Sequence, residues 1–329
     1  MKLQYQPFCV CRKKYIAIYH NLLEENRIFI DSFDPTYYTV LADHHFNEVV
    51  NNSDNKDLHA TQLKLLYSQA LESFFAYLFG ILQAPFCLVA WIQIYRPTDL
   101  KKLIQIVSAG SSFPYFKVDI GNVSWQSVAR FLTPVTTAGK DYQEFLDNAE
   151  TLLHSLYKDY VNDIYTKEYN SIKHGFRARP GGFRLLIGKN KDKLNTLGQS
   201  PYGSSFLSRE DVGEFSKKST VKILTFRRAN VNWDPEYFRC RIALMKNLLG
   251  NIVNLVKVLY GSQNKDMKYW VCDNKEELRG YLLNRSGVHT FDMDSGICKA
   301  ELRNSVSQLQ LSHNVYYKQK IRLVEERAR

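Results

Sequence analysis

Glycine and proline are scarce in this 329-residue chain, at 16 and 9. That scarcity excludes collagen-like repeats and long flexible linkers. The six cysteines (Cys9, Cys11, Cys87, Cys240, Cys272 and Cys298) include no CxxC pair, and no histidine follows at zinc-finger spacing. A structural metal site is therefore not expected. Dispersed thiols read as reduced and buried, which points to a cytoplasmic protein. Met1 to Pro7 show no apolar run behind a basic start, so no secretory signal is read there. The chain also lacks a Walker sequence, a Rossmann glycine pattern and a serine nucleophile elbow. Nucleotide-driven and serine-hydrolase chemistry, and with them a small-molecule cofactor, have no motif to rest on. No internal repeat is found.

What the chain has in quantity is aromatic and basic side chains: 21 tyrosines, 19 phenylalanines and a net charge of +11. A basic surface with tyrosines suits phosphate contacts and base stacking. The plainer alternative is that the tyrosines sit at the core edge and the charge serves solubility. One stretch, Phe74 to Tyr95, carries no charge at all, and its length alone would nominate a membrane helix. Pro85 sits in its middle, removing a backbone donor and disfavouring helix at Ala84. The stretch therefore reads as two core helices joined at the proline, with no membrane span.

The pattern predicts a mainly α protein in three parts. Residues 1–57 form a mixed segment, in which Tyr15–Tyr19 and Arg27–Ile30 read equally as strand or helix. Residues 58–180 form a helical bundle, and residues 181–329 a smaller mixed α/β region packing on it. Pro97 opens a helix with Asp99 in its first turn, and a short helix covers Ser124 to Leu132. A long helix is expected from Asp141 to His174, because apolar residues from Phe145 to Ile172 recur at three-and-four spacing; Gly175 would cap its end. Phe183–Ile187 and Val221–Phe226 read as strands around a Gly/Ser loop, Gly198 to Ser205. Asp234 and Pro235 begin a helix to about Tyr260, and the tail from Tyr316 is basic and amphipathic.

The candidate chemistry lies at the end of the long helix. Lys167, Asn170 and His174 are spaced by three and four, so they project within about 60° of one another. An imidazole titrating near neutrality can move a proton at a ribose hydroxyl or a leaving oxygen. A neighbouring cation can hold phosphate as negative charge develops. Lys173, Arg177, Arg179 and Arg184 continue a run from Lys167 to Lys193 in which only Glu168 and Asp192 are acidic, a balance that favours a nucleic-acid backbone. The competing reading is a solvated polar face with a histidine that merely suits the helix dipole. Elsewhere, His44-His45 has no third ligand at useful spacing. Glu72 reads as a buried structural acid paired with a basic group, and Asp292, Asp294 and Gly296 mimic only part of a calcium loop.

The segment Tyr169-Asn170-Ser171-Ile172-Lys173-His174-Gly175 resembles the motif region of HEPN-domain proteins, in which an arginine, a polar residue and a histidine close a long helix. The resemblance covers about residues 58–180 and implies a HEPN-like helical bundle. It further implies a metal-independent ribonuclease, working as a homodimer with a shared cleft on RNA, in phage defence or a toxin system. Asn170 takes the polar position and His174 the histidine; Tyr169 stands where the arginine is usual. Lys167 or Arg177 would then supply the charge. A catalytically inactive module that binds RNA or dimerises would carry the same segment.

Overall fold

The computed structural model describes residues 3–51, 54–133, 142–174, 177–187, 195–214, 222–261, 269–282 and 290–292. The protein is mainly helical, with small antiparallel sheets. Contacts divide it into two units. The first comprises Met1–Leu207 with Ala229–Phe291 and the second Ser208–Arg228 with Asp292–Arg329. The described part of the second unit is the outer length of two strands introduced below.

The chain opens with a hairpin, β1 (Gln4–Val10) paired with β2 (Lys13–Tyr19), Val10 opposite Lys13. Its two-residue turn forces Cys11 to a φ of +55°, an uncommon conformation for a side-chain-bearing residue. A buried glutamine holds it there: Cys11 N–H donates to Gln83 Oε1 (2.8 Å), while Gln83 Nε2 donates to the carbonyls of Cys11 (3.0 Å) and Pro114 (2.7 Å). Helices α1 (Leu22–Ser32) and α2 (Tyr37–Asn51) follow. Of the two N-terminal segments left open by the sequence, Tyr15–Tyr19 is thus strand and Arg27–Ile30 helix.

Helix α3 (Lys56–Gln83) is the centre of the first unit, with α2 and a later helix, Pro235–Leu259, along it. From Phe74 to Ile81 it is buried on all sides, which is why its sequence there shows no polar face. It stops at Ala84, as expected before Pro85, and α4 (Leu88–Ile94) resumes after a turn. Two helices, α3 and the later Pro235–Leu259, are long and apolar enough to cross a membrane by length and composition; here they pack on each other, Tyr67 stacking on Phe238 with centroids 4.9 Å apart. Helix α5 (Pro97–Ser108) starts at the proline, with Asp99 Oδ2 accepting from Arg96 N–H (3.1 Å). After the small β3 (Ser112–Pro114) and β4 (Asp119–Asn122), a reciprocal Ser124–Ser127 cap begins α6 (Trp125–Leu132).

The single helix expected from Asp141 to His174 is two: α7 (Tyr142–Val161) and α8 (Asp163–Lys173). The break is made by Asn162. Its backbone turns extended, and its side-chain oxygen accepts from Ile164 N–H (3.0 Å) and Tyr165 N–H (3.3 Å), capping a new helix instead of continuing the old one. At the other end His174 is itself the cap residue, its N–H returning to Asn170 O (3.1 Å); Gly175 lies outside the described residues.

Strand β5 (Ala178–Pro180) pairs with the start of β8 (Gly203–Glu214), Arg179 opposite Ser205. A separate hairpin joins β6 (Arg184–Ile187) to β7 (Asn195–Gln199). The Gly/Ser stretch expected as a loop from Gly198 to Ser205 is therefore strand at both ends. Its glycine serves close backbone approach: a Cβ on Gly203 would lie 2.4 Å from Val231 O and 2.9 Å from Gly182 Cα. Strand β9 (Lys222–Asn232) leads to α9 (Pro235–Leu259), whose cap, Asp234 Oδ1, accepts from Glu236 N–H (3.0 Å). Helix α10 (Lys275–Leu282) and β10 (Thr290–Asp292) complete the described chain, and the four-stranded sheet has the order β10-β9-β8-β5. The basic tail and Asp294 lie outside the described residues.

Two charged pairs are buried inside the first unit. Lys64 (1% exposed) and Glu168 (0%) face each other across 3.6 Å. Glu168 Oε1 also accepts from Trp233 Nε1 (2.7 Å) and from Ser204 Oγ, and the Lys64 ammonium lies 3.7 Å from the centre of the Tyr165 ring. Beside them Arg241 (2% exposed) meets Asp159 at 3.2 Å, with Tyr67 and Tyr237 donating to the same carboxylate oxygen. Removing one member of a fully buried pair strands the other charge. Glu168→Gln keeps the acceptor for Trp233 but loses the counter-charge of Lys64. It is expected to destabilise the protein by about 3–5 kcal/mol in urea unfolding; a change within about 0.5 kcal/mol would mean that Lys64 is buried as the neutral amine.

Candidate functional site

Helix α8 presents two sides. Glu168 and Ile172, one turn apart, point into the core, while Lys167, Asn170, Lys173 and His174 are exposed. The first residues of the flanking chain, Arg177 and Arg179, are exposed as well. The polar side is thus solvated, as the plainer sequence reading had it, and it carries Lys167 and Lys173. Arg184 opens β6 beyond it.

Under this surface lies a cavity of about 320 Å³ among α3, α5, α7 and α8. Its aromatic walls are Tyr67, Tyr160, Tyr165 and Tyr169, and the exposed Asn170 and Lys173 contribute to its lining. Lys101 from α5 joins them; its ammonium reaches Thr166 Oγ1 (3.2 Å) and Asp163 Oδ1 (3.5 Å). The Lys173 ammonium lies 5.3 Å from the Tyr169 ring centre, a spacing that polarises the ring face without burying the charge. Volume and aromatic lining fall in the range of small-ligand sites.

Of the residues singled out from sequence, Asn170 and Lys173 line the cavity. Lys167, His174, Arg177 and Arg179 are exposed and do not line it. Tyr169, in the position where the resembled motif has arginine, is half-buried in the wall. Burial, and then the charge of Glu72, push its phenol up to about 12, so it stays protonated and offers a flat neutral face. Glu72 also lines the cavity, and its partner is a phenol, not the basic group expected: Tyr95 OH donates to Glu72 Oε1 (3.3 Å).

Comparison of the chain with protein-family models, with curated proteins and with solved structures finds no match. The site has to be read from its own chemistry.

That chemistry has two layers. Inside the cavity, carboxylates (Glu72, Asp159) sit among phenols; at its edge, Lys101 and Lys173 sit among hydroxyls and an amide. Sequence reasoning missed the inner layer. Lys64, Tyr67, Lys101 and Tyr160 lie on three different helices, and no spacing along the chain brings them to Tyr169. The only signal was the abundance of tyrosine.

Burial pushes several of these phenols above their ordinary value: Tyr67, Tyr95, Tyr160 and Tyr237 all rise, burial being the largest cause in each. In the unfolded chain all would titrate near 10. A folded pKa above the unfolded one means stability is full below pH 10 and falls as pH rises beyond it. Absorbance titration at 295 nm should show a late class of tyrosines in the native protein, with stability declining from pH 10 upward; all phenols titrating together near 10 would contradict the burial described here.

Proposed function

We propose that this chain binds single-stranded RNA over the end of α8, with one unstacked base against the tyrosine walls and the backbone phosphates on the surrounding cations. The observation that carries the reading is the coincidence of a tyrosine-walled cavity, with Lys101 and Lys173 in its lining, and the exposed Arg177 and Arg179 in the chain that follows α8. Base–aromatic stacking is tolerant of sequence and contributes about 1–3 kcal/mol per base. Phosphate contacts add affinity that salt weakens. Glu72, whose carboxylate is met by the Tyr95 phenol, disfavours a phosphate beside it and favours the base as the inserted part.

A second reading has a specific observation in its favour. Asn170 and His174, exposed and one turn apart, share this surface with Lys167. In a HEPN-like, metal-independent ribonuclease His174 would act as general acid/base at the ribose hydroxyl or leaving oxygen. Asn170 would orient the reacting groups, and Lys167 or Arg177 would hold the phosphate. That chemistry calls for a second copy of the chain sharing the cleft, as the resembled family implies.

The two readings separate by experiment. In fluorescence anisotropy with a labelled single-stranded RNA, wild type binds, and Lys173→Glu with Arg177→Glu weakens binding about tenfold or more, each lost contact lowering the salt slope by about 1. His174→Ala binds as wild type does; RNA fragments that appear with wild type and vanish with His174→Ala would establish the ribonuclease. Equal binding by wild type and the charge-reversal variant would sink the RNA-binding proposal.

A further inference from the structure

Three imidazoles gather where α2 meets α3, outside the lining of the α8 cavity. His44 and His45 come from α2 and His59 from α3. The His45 and His59 Nδ1 atoms are 3.1 Å apart, and the rings lie 5.3 Å (His44–His45), 5.4 Å (His45–His59) and 6.2 Å (His44–His59) from centre to centre. Spacing along the chain offers His44-His45 no third ligand; the fold brings an imidazole from the neighbouring helix. His45 and His59 are half-buried and His44 is exposed, so ions in solution reach them.

Two ring nitrogens this close share either a proton or a metal ion. An ion placed at imidazole bond lengths of about 2.0–2.1 Å from both would be held at an N–metal–N angle of about 98°. That lies between the octahedral and tetrahedral angles, so the spacing of the two nitrogens suits one shared ion. Among the described residues no group of three or more His, Cys, Asp or Glu side chains is already placed to hold a metal. The remaining positions therefore fall to water, with His44 the nearest further imidazole.

We propose that His45 and His59 form a two-imidazole site for one borderline-soft divalent transition-metal ion (zinc, nickel or copper) bound through both Nδ1 atoms. Imidazole selects these ions over magnesium and calcium, which prefer oxygen ligands. In the metal-free pair one ring donates its Nδ1 proton to the other. On binding, that proton transfers through solvent to Nε2 of the same ring, so both Nδ1 lone pairs face the ion and neither ring changes charge. The bound ion links α2 to α3 directly, and binding to the folded chain alone raises stability by mass action.

The test is calorimetric titration of the full, chelator-treated chain with zinc chloride, with magnesium chloride as the control ion. Wild type is expected to take up one zinc per chain, with a rise in melting temperature and no response to magnesium. His45→Gln and His59→Gln should each weaken zinc binding by more than roughly tenfold, since losing even an outer partner of a metal ligand costs 10–100-fold. Unchanged circular dichroism in both variants would show that the fold is kept. Absence of saturable zinc binding by wild type would overturn the proposal, as would equal binding by both variants or an equal response to magnesium.

Discussion

The first unit is organised around an ion pair that water never reaches. Lys64 sits in the N-terminal half of the central helix and Glu168 on the inner side of α8, both essentially unexposed. Withdrawing two charges from water is costly, and their attraction offsets that cost only where further polar contacts surround them. Those contacts come from elements far apart in the chain. Ser204 at the start of β8 and Trp233 after β9 both donate to Glu168, while Tyr165 from α8 and Phe238 from α9 place their rings against the Lys64 ammonium. Burial pushes the lysine below its ordinary pKa and the charge of Glu168 opposes this. An α8 rotated by one residue would turn Glu168 away from all of them, so the pair fixes the helix's rotation as well as its position.

That rotation decides what α8 shows to solvent. With Glu168 and Ile172 inward, Lys167, Asn170, Lys173 and His174 must face outward and Tyr169 must stand at the edge, in the cavity wall. The Arg241–Asp159 pair does the same for α7, holding Asp159 with Tyr67 and Tyr237. The polar side of the site is thus set by buried charges one layer below it, and the cation-rich surface needs no ordering of its own.

Much of the fold was legible wherever one residue's local chemistry decides. Pro85 ends α3, Pro97 opens α5, Ser124 caps α6, and Asp234 with Pro235 starts α9; each acts on its neighbours within a turn. Asn162 was not legible, because its side chain fits a helix interior and a cap alike, and only the packing of Ile164, Tyr165 and Glu168 makes the cap preferable. The glycines from 198 to 205 signal a loop by composition, yet at Gly203 the absence of a side chain admits the backbones of Gly182 and Val231. The polar side of α8 followed from helical spacing. The cavity did not, since its walls come from α3, α5, α7 and α8, and neither did the His45–His59 pair, which forms across the α2–α3 junction. Spacing along a chain carries contacts within an element and is silent about contacts between elements.

Tyr169 bears most directly on which chemistry the site supports. An arginine there would place a permanent, forked charge beside Glu72 and pair with it, drawing phosphate into the cavity. The phenol stays neutral and flat, and leaves the carboxylate of Glu72 without a guanidinium beside it. Under the proposed reading an RNA strand therefore meets a polarity fixed in advance: its base turned inward to the phenols and its phosphates outward to Lys101, Lys173 and Arg177. The phosphate next to that base then falls on the outer side of α8, the side that carries His174 and Asn170. Under that reading binding and cleavage would draw on one surface, and the position of the base would decide which phosphate the imidazole meets.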